Sequence, residues 1–284
     1  MNNGDFLRDM LAKADREGYA VPSFNYSCAW DFLAIIEAAE EEKAPVMVAS
    51  HALVFNMITP EINAAMGAAA MAKANIPLIH HLDHSDEVAI CNKAIDLGYP
   101  SVMIDASALS LEDNISAVKE VVEHAKSNKV CVEAEIGKIK GRGYEGGYGG
   151  DDFLAQVDDA VRLVEDTGVD TLAVGIGTAH GFYEGKPEIH FDRLEEINAA
   201  VDVPLVLHGG SGIPEADIRQ AIKGGINKIN VGTIIHCTLM NSFRKDLIEL
   251  GDNQFTLDIA RPAMDEVKKV VKGWIRKCMA DGKA

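Results

Sequence analysis

Eight short apolar runs, repeating at about thirty residues with amphipathic stretches between them, constrain this 284-residue chain more than any other feature. The runs lie at 20–25, 46–50, 78–83, 101–105, 130–135, 171–176, 205–208 and 228–231. Between them, 31–43 places Phe32, Ile35, Ile36 and Ala39 on one helical face. Helical spacing recurs at 111–126, through Ile115, Val118, Val121 and Val122, and at 153–167, through Val157, Val161 and Val164. Strand alternating with helix predicts βα units and a parallel sheet. Eight such units close into an α/β fold, the (β/α)₈ TIM barrel, which usually takes about 250 residues. The surplus fits an N-terminal helix over 5–17 and a C-terminal helical extension. No Pro/Ser-rich linker divides the chain, so one domain is expected over 1–284.

Composition narrows the function. Aromatic residues make up only 6%, and the small aliphatics that fill layered barrels dominate. A formal charge of −17 argues against nucleic acid, whose phosphates require clustered Lys and Arg. The sequence has no apolar run long enough to span a membrane, and its first ten residues carry two acids and no signal-peptide core. Five cysteines without a Cys-x-x-Cys pair fit a reducing cytoplasm.

Three histidines close apolar runs beside a glycine or an acid: His84, His180 and His208. Imidazoles held rigidly at the mouth of one closed sheet make an open metal site with a position left for substrate. The other six histidines (His51, His80, His81, His124, His190 and His236) lack the pattern and read as structural. Alternation puts Asp83 and His84 on opposite faces, so the strand must end between them if both serve one site. Asp83 either orients a ligand from behind or moves a proton at a substrate hydroxyl. Glu133 and Glu135 share an inward face, either as a polar centre or as an ion pair with Lys228. The turns Gly209-Gly210-Ser211-Gly212 and Asn230-Val231-Gly232-Thr233 follow the last two strands, where barrels bind phosphate through backbone N–H groups. The segment 137–152, with seven glycines, reads as a mobile loop over the mouth or as a solvated insertion.

Taken in order, His81-Leu82-Asp83-His84, Glu133-Ala134-Glu135-Ile136-Gly137, Gly177-Thr178-Ala179-His180-Gly181, Leu207-His208-Gly209-Gly210-Ser211-Gly212 and Lys228-Ile229-Asn230-Val231 resemble the class II, zinc-dependent ketose-bisphosphate aldolases, in their fructose- and tagatose-bisphosphate branch. The likeness spans nearly the whole chain. It implies Zn²⁺ on His84, His180 and His208, with Glu135 close to the metal, and a monovalent cation (Na⁺ or K⁺) beside the phosphate. It implies that Asp83 is the acid/base at the hydroxyl formed from the aldehyde, with Glu145 of the loop as the second acid/base. Asn25, Ser50, Gly181, Gly209, Gly210, Ser211, Asn230, Gly232 and Thr233 are then the substrate-binding residues, and a homodimer or homotetramer is expected.

The departures from the family cluster on the aldehyde side. Ala106-Ser107-Ala108 stands where the family reads Gly-Ser-His, and Cys28 replaces an Asn. The family loop Gly-Gly-x-Glu-Asp-Asp is here Gly141-Arg142-Gly143-Tyr144-Glu145-Gly146-Gly147. Phe255-Thr256-Leu257 falls where an arginine reaches the far phosphate, with Arg142 and Arg261 as candidate substitutes. The leading expectation is cleavage of fructose or tagatose 1,6-bisphosphate to dihydroxyacetone phosphate and glyceraldehyde 3-phosphate. The alternatives are a ketose 1-phosphate or another aldehyde partner, a Schiff-base aldolase using Lys228, and a non-catalytic barrel.

Overall fold

Eight parallel strands follow one another around a closed barrel in chain order: β1 (Val21–Asn25), β2 (Val46–His51), β3 (Leu78–Ser85), β4 (Ser101–Ile104), β5 (Cys131–Ile136), β6 (Thr171–Val174), β7 (Leu205–Leu207) and β8 (Ile226–Val231). The last pairs with the first, so no edge is left open. The computed structural model describes residues 3–139, 141, 154–183, 185, 187–250 and 255–284. Among these, α1 (Asn3–Glu17) precedes the barrel, and α2 (Ala29–Glu42), α3 (Ala52–Met57), α4 (Pro60–Lys73), α5 (Val88–Asp96) and α6 (Leu111–Asn128) surround its first half. The second half carries α7 (Val157–Thr167), α8 (Phe191–Ala200), α9 (Glu215–Lys223), α10 (Thr233–Leu250) and α11 (Thr256–Lys277).

Local chemistry sets the helix limits. Ser110 caps α6 by accepting the Asp113 N–H at 3.2 Å, a contribution of about 1 kcal/mol, and left-handed Lys129 (φ 51–55 being the range of such lysines here) ends it. Gly168 ends α7 at φ 67. The helices bury one face against the outside of the sheet, where Phe24, Ile35, Val48, Leu82, Val118, Leu172 and Ile229 form one continuous apolar layer.

Inside the barrel the alternation selects a different set. Met103, Ala173 and Val206 form a small apolar plug. Beside it Lys228 Nζ meets Glu133 Oε2 at 2.7 Å and Oε1 at 2.9 Å, both side chains being fully buried. This is the ion pair offered as one reading of the inward glutamates, and it closes the floor beneath the C-terminal mouth.

Two expectations about the strands need correction. β3 does not end between Asp83 and His84 but runs to Ser85. His84 instead takes a left-handed backbone (φ 43), and the β3–β4 register shifts between Leu82 and Ser85. That irregularity turns His84 toward the face that already carries Asp83. Ser50, expected at the substrate site, lies one residue out of phase: its Oγ is 3.2 Å from the Tyr99 hydroxyl, buried on the helix side. The inward position is taken by the next residue, His51.

Candidate active site

His84, His180 and His208 converge at the C-terminal mouth, each offering a nitrogen within 4.8 Å of the other two. Two of the rings are fixed from behind. His84 Nδ1 donates to Asp105 Oδ2 at 2.9 Å, and His208 Nε2 donates to Glu133 Oε1 at 2.9 Å. These bonds select tautomers whose free lone pairs, His84 Nε2 and His208 Nδ1, face each other at 2.8 Å. Two lone pairs so close repel unless a proton or a metal ion lies between them. The third nitrogen, His180 Nε2, is buried and has no hydrogen-bond partner among the described residues. The donor set therefore fits a divalent ion of the kind imidazoles bind, with zinc chief among them.

The protonation pattern agrees. Burial pushes His84 down, but Asp83, Asp105 and Glu135 outweigh it and hold the imidazole up at about 10. Burial drives His180 well below the ordinary range, and the neighbouring His84 and His208 add to the shift. The site thus attracts positive charge at His84 and keeps His180 a neutral donor.

Glu135, expected among the ligands, is not part of the imidazole trio. It groups with His84 and Asp105 instead. Its Oε1 lies 3.1 Å from the Ser107 hydroxyl, whose single proton goes to Asp105 in the shorter bond, at 2.7 Å. Burial and then the adjacent Asp105 push the Glu135 carboxyl well above its usual range. Asp105 was missed in the sequence, although it shows the same signal as the histidines: a polar residue closing an apolar strand.

Asp83 is held on both oxygens. Asn25 Nδ2 donates to Oδ2 at 2.7 Å and Asn230 Nδ2 to Oδ1 at 2.9 Å. Burial disfavours the charged form, but His84, His51, His208 and Lys228 keep the carboxyl well below its usual range. Asn25 and Asn230 therefore act first on Asp83. Both also line the chamber above it, together with Asp83, His180 and His51.

The opposite wall of this chamber is Gly209, Gly210, Ser211, Gly232 and Thr233. A side chain on Gly209 would meet the Ala179 carbonyl oxygen at 2.4 Å, and one on Gly210 the Asn230 carbonyl oxygen at 2.7 Å. Only glycine lets these two turns close on each other. Ser211 Oγ accepts the Ile234 N–H at 3.2 Å, which ties the first turn to the start of α10. The wall thus combines backbone N–H groups, hydroxyls and a helix N-terminus, the components of an anion cradle. Gly181, at φ 91, lies in the turn after His180 but does not line the chamber. No Lys or Arg lines it among the described residues. Arg261 does not supply the missing guanidinium, because it faces Glu37 of α2 at 3.6 Å on the outside. Glu145 and Arg142 lie outside the described residues.

A second cavity sits at the other end of the barrel, bounded by Arg8, Asp15, Asp170 and Asn227. The four polar groups named are paired with one another: Arg8 with Asp170, and Asn227 with Asp15.

The mouth just described has counterparts elsewhere. A family model described as class-II fructose-bisphosphate aldolase matches residues 5–283. This chain belongs to the class II fructose-bisphosphate aldolase family. A 6-phospho-5-dehydro-2-deoxy-D-gluconate aldolase of Halalkalibacterium halodurans is 40% identical, the match covering 98% of this chain and 97% of that one. Its counterpart from Bacillus velezensis is 37% identical over 98% and 96%. Among solved structures, the YdjI aldolase from Escherichia coli K12 superposes with a TM-score of 0.86 at 33% identity, covering 98% of each chain. The class II aldolase is a carbon–carbon lyase, and the family implies a divalent metal, which the imidazole trio suits. The branch expected from the motifs needs correction, because these two curated relatives carry the deoxygluconate name and not a fructose- or tagatose-bisphosphate one. No helix among the described residues is long and apolar enough to cross a membrane.

Proposed function

We propose that this class II aldolase reversibly cleaves a ketose phosphate carrying one phosphate, releasing dihydroxyacetone phosphate and an unphosphorylated aldehyde. The leading substrate is 6-phospho-5-dehydro-2-deoxy-D-gluconate, the compound named in both curated relatives. In that molecule the ketone neighbours the phosphate-bearing carbon, a hydroxyl stands β to the ketone, and a carboxylate ends the chain. Breaking the bond between the carbons α and β to the ketone gives dihydroxyacetone phosphate and a three-carbon aldehyde acid. The observation that carries the reading is the chamber itself, in which an anion cradle faces Asp83 and His180 and, among the described residues, no guanidinium or ammonium is placed for a second phosphate.

The roles follow from the geometry. Gly209, Gly210, Ser211, Gly232 and Thr233 hold the phosphate and so position the ketone toward His84, His180 and His208. Zn²⁺ bound by these imidazoles supplies Lewis-acid stabilisation of the charge left on the ketose half. Asp83, oriented by Asn25 and Asn230, takes the proton of the β-hydroxyl in cleavage and returns it in synthesis. Asp105 and Glu133 keep His84 and His208 in their metal-facing tautomers. Family resemblance supports Glu145 as the second acid/base. Family resemblance also supports a monovalent cation beside the phosphate and a homodimer or homotetramer.

A substrate panel tests the reading. The metal-loaded enzyme is given 6-phospho-5-dehydro-2-deoxy-D-gluconate, a neutral ketose 1-phosphate, and fructose and tagatose 1,6-bisphosphates. The singly phosphorylated acid should show the highest kcat/KM. A bisphosphate cleaved equally well or better would restore the fructose/tagatose assignment, and failure on every substrate would favour a non-catalytic barrel.

A further inference from the structure

We infer that His51 is a second holder of the substrate hydroxyl that Asp83 titrates, donating from Nδ1 to the same oxygen; this rests on the aldolase reading above. His51 is 9% exposed and lines the chamber with Asp83 and His180. Its Nδ1 is buried with no hydrogen-bond partner among the described residues. Such a group costs free energy unless something binds there. The ring does not cap α3, although His51 occupies the residue before it, since it makes no side-chain bond to that helix. It lies parallel to His84, with ring centres 5.8 Å apart and planes at 16°, so it is fixed without using its nitrogen.

Nδ1 is 3.9 Å from Asp83 Oδ2. That is too long for a direct hydrogen bond, yet an oxygen set to one side can sit about 2.8 Å from both atoms. A hydroxyl in this position donates its proton to Asp83 and accepts one hydrogen bond from His51. Asn25 and Asn230 each give one amide N–H to the Asp83 carboxylate, which holds it in place for this hydroxyl.

In cleavage the hydroxyl O–H bond breaks and its proton moves to Asp83. The oxygen's electron pair forms the aldehyde carbonyl, and the carbon–carbon bond breaks, leaving its pair on the ketose half. His51 keeps its own proton throughout. Its N–H stabilises the oxygen while that atom carries the most negative charge, and then remains bonded to the aldehyde oxygen. It is a hydrogen-bond donor to the leaving carbonyl and not a second base.

Dihydroxyacetone phosphate lacks this hydroxyl, which gives the test. Metal-loaded wild type, His51→Leu and His51→Asn are compared in cleavage of 6-phospho-5-dehydro-2-deoxy-D-gluconate and in solvent deuterium exchange into dihydroxyacetone phosphate alone. Metal content is measured alongside. For His51→Leu, cleavage kcat should fall about 10–100-fold further than exchange, the loss expected for one hydrogen bond to a charged oxygen. The His51→Asn amide nitrogen overlays Nδ1 and should recover most of that difference. Equal losses in both assays, loss of metal from both variants, or His51→Asn no better than His51→Leu would overturn the assignment. Wild type inactive in both assays would instead remove the aldolase reading on which it depends.

Discussion

Asp83 illustrates how one carboxylate is made both anionic and immobile. Two amides occupy its oxygens and four cationic or potentially cationic side chains surround it. Its replacement by Asn keeps the shape but removes the base, so Asp83→Asn should lower kcat for cleavage by about 10²–10⁴-fold with metal content unchanged, as measured by steady-state kinetics and metal analysis. The Lys228–Glu133 pair makes the complementary point about stability. Lys228→Met leaves a buried carboxylate with His208 and the Thr171 hydroxyl as its remaining partners, and should cost about 3–5 kcal/mol in denaturant unfolding. An unchanged midpoint would show that the pair is dispensable. The convergence of His84, His180 and His208 was legible because each closes an apolar run. Ser50 rested on the family resemblance and not on the strand pattern, and His51 read as structural because ending the second run at residue 50 leaves out the residue whose side chain turns inward.

At the scale of elements, hydrophobic periodicity located all eight strands to within two residues at most ends, because a strand buried on both faces must be apolar wherever it is packed. Backbone irregularity was not legible. Nothing in His81-Leu82-Asp83-His84 announces the left-handed His84 or the shifted register that brings two adjacent residues to one mouth. The close approach of α4 to β3 was also hidden. A Cβ on Gly67 would lie 1.9 Å from His80 Nδ1. That ring is held by the Tyr26 hydroxyl at 2.8 Å and packs on Tyr99, so it has little room to yield. Ala gains about 1 kcal/mol in helix propensity over Gly, whereas overpacking a fixed core costs about 1–3 kcal/mol. Gly67→Ala should therefore destabilise the protein in thermal or urea unfolding, and a stabilised variant would show that α4 can slide outward.

For the whole molecule, the buried histidines set the response to acid. Burial holds His51 near about 4, and His80 and His81 near about 3. Each stays neutral in the fold where the unfolded chain takes up a proton, so stability is present above the ordinary histidine range and is lost as pH falls below about 6.5. His84, held up at about 10, runs the other way in the metal-free protein: its contribution is complete below about 6.5 and is lost as pH rises through about 10. The chelated protein should accordingly unfold at lower urea at about pH 5 than at about pH 7, and a midpoint that holds or rises on acidification would contradict this. The same charge arrangement makes the mouth depend on its metal. The decisive measurement is release of dihydroxyacetone phosphate from 6-phospho-5-dehydro-2-deoxy-D-gluconate by the purified enzyme before chelation, after it, and after Zn²⁺ is restored. Activity should vanish on chelation and return with the metal in wild type but not in His180→Ala. Full release by the metal-free enzyme, or full restoration in His180→Ala, would contradict a reaction centred on the three imidazoles.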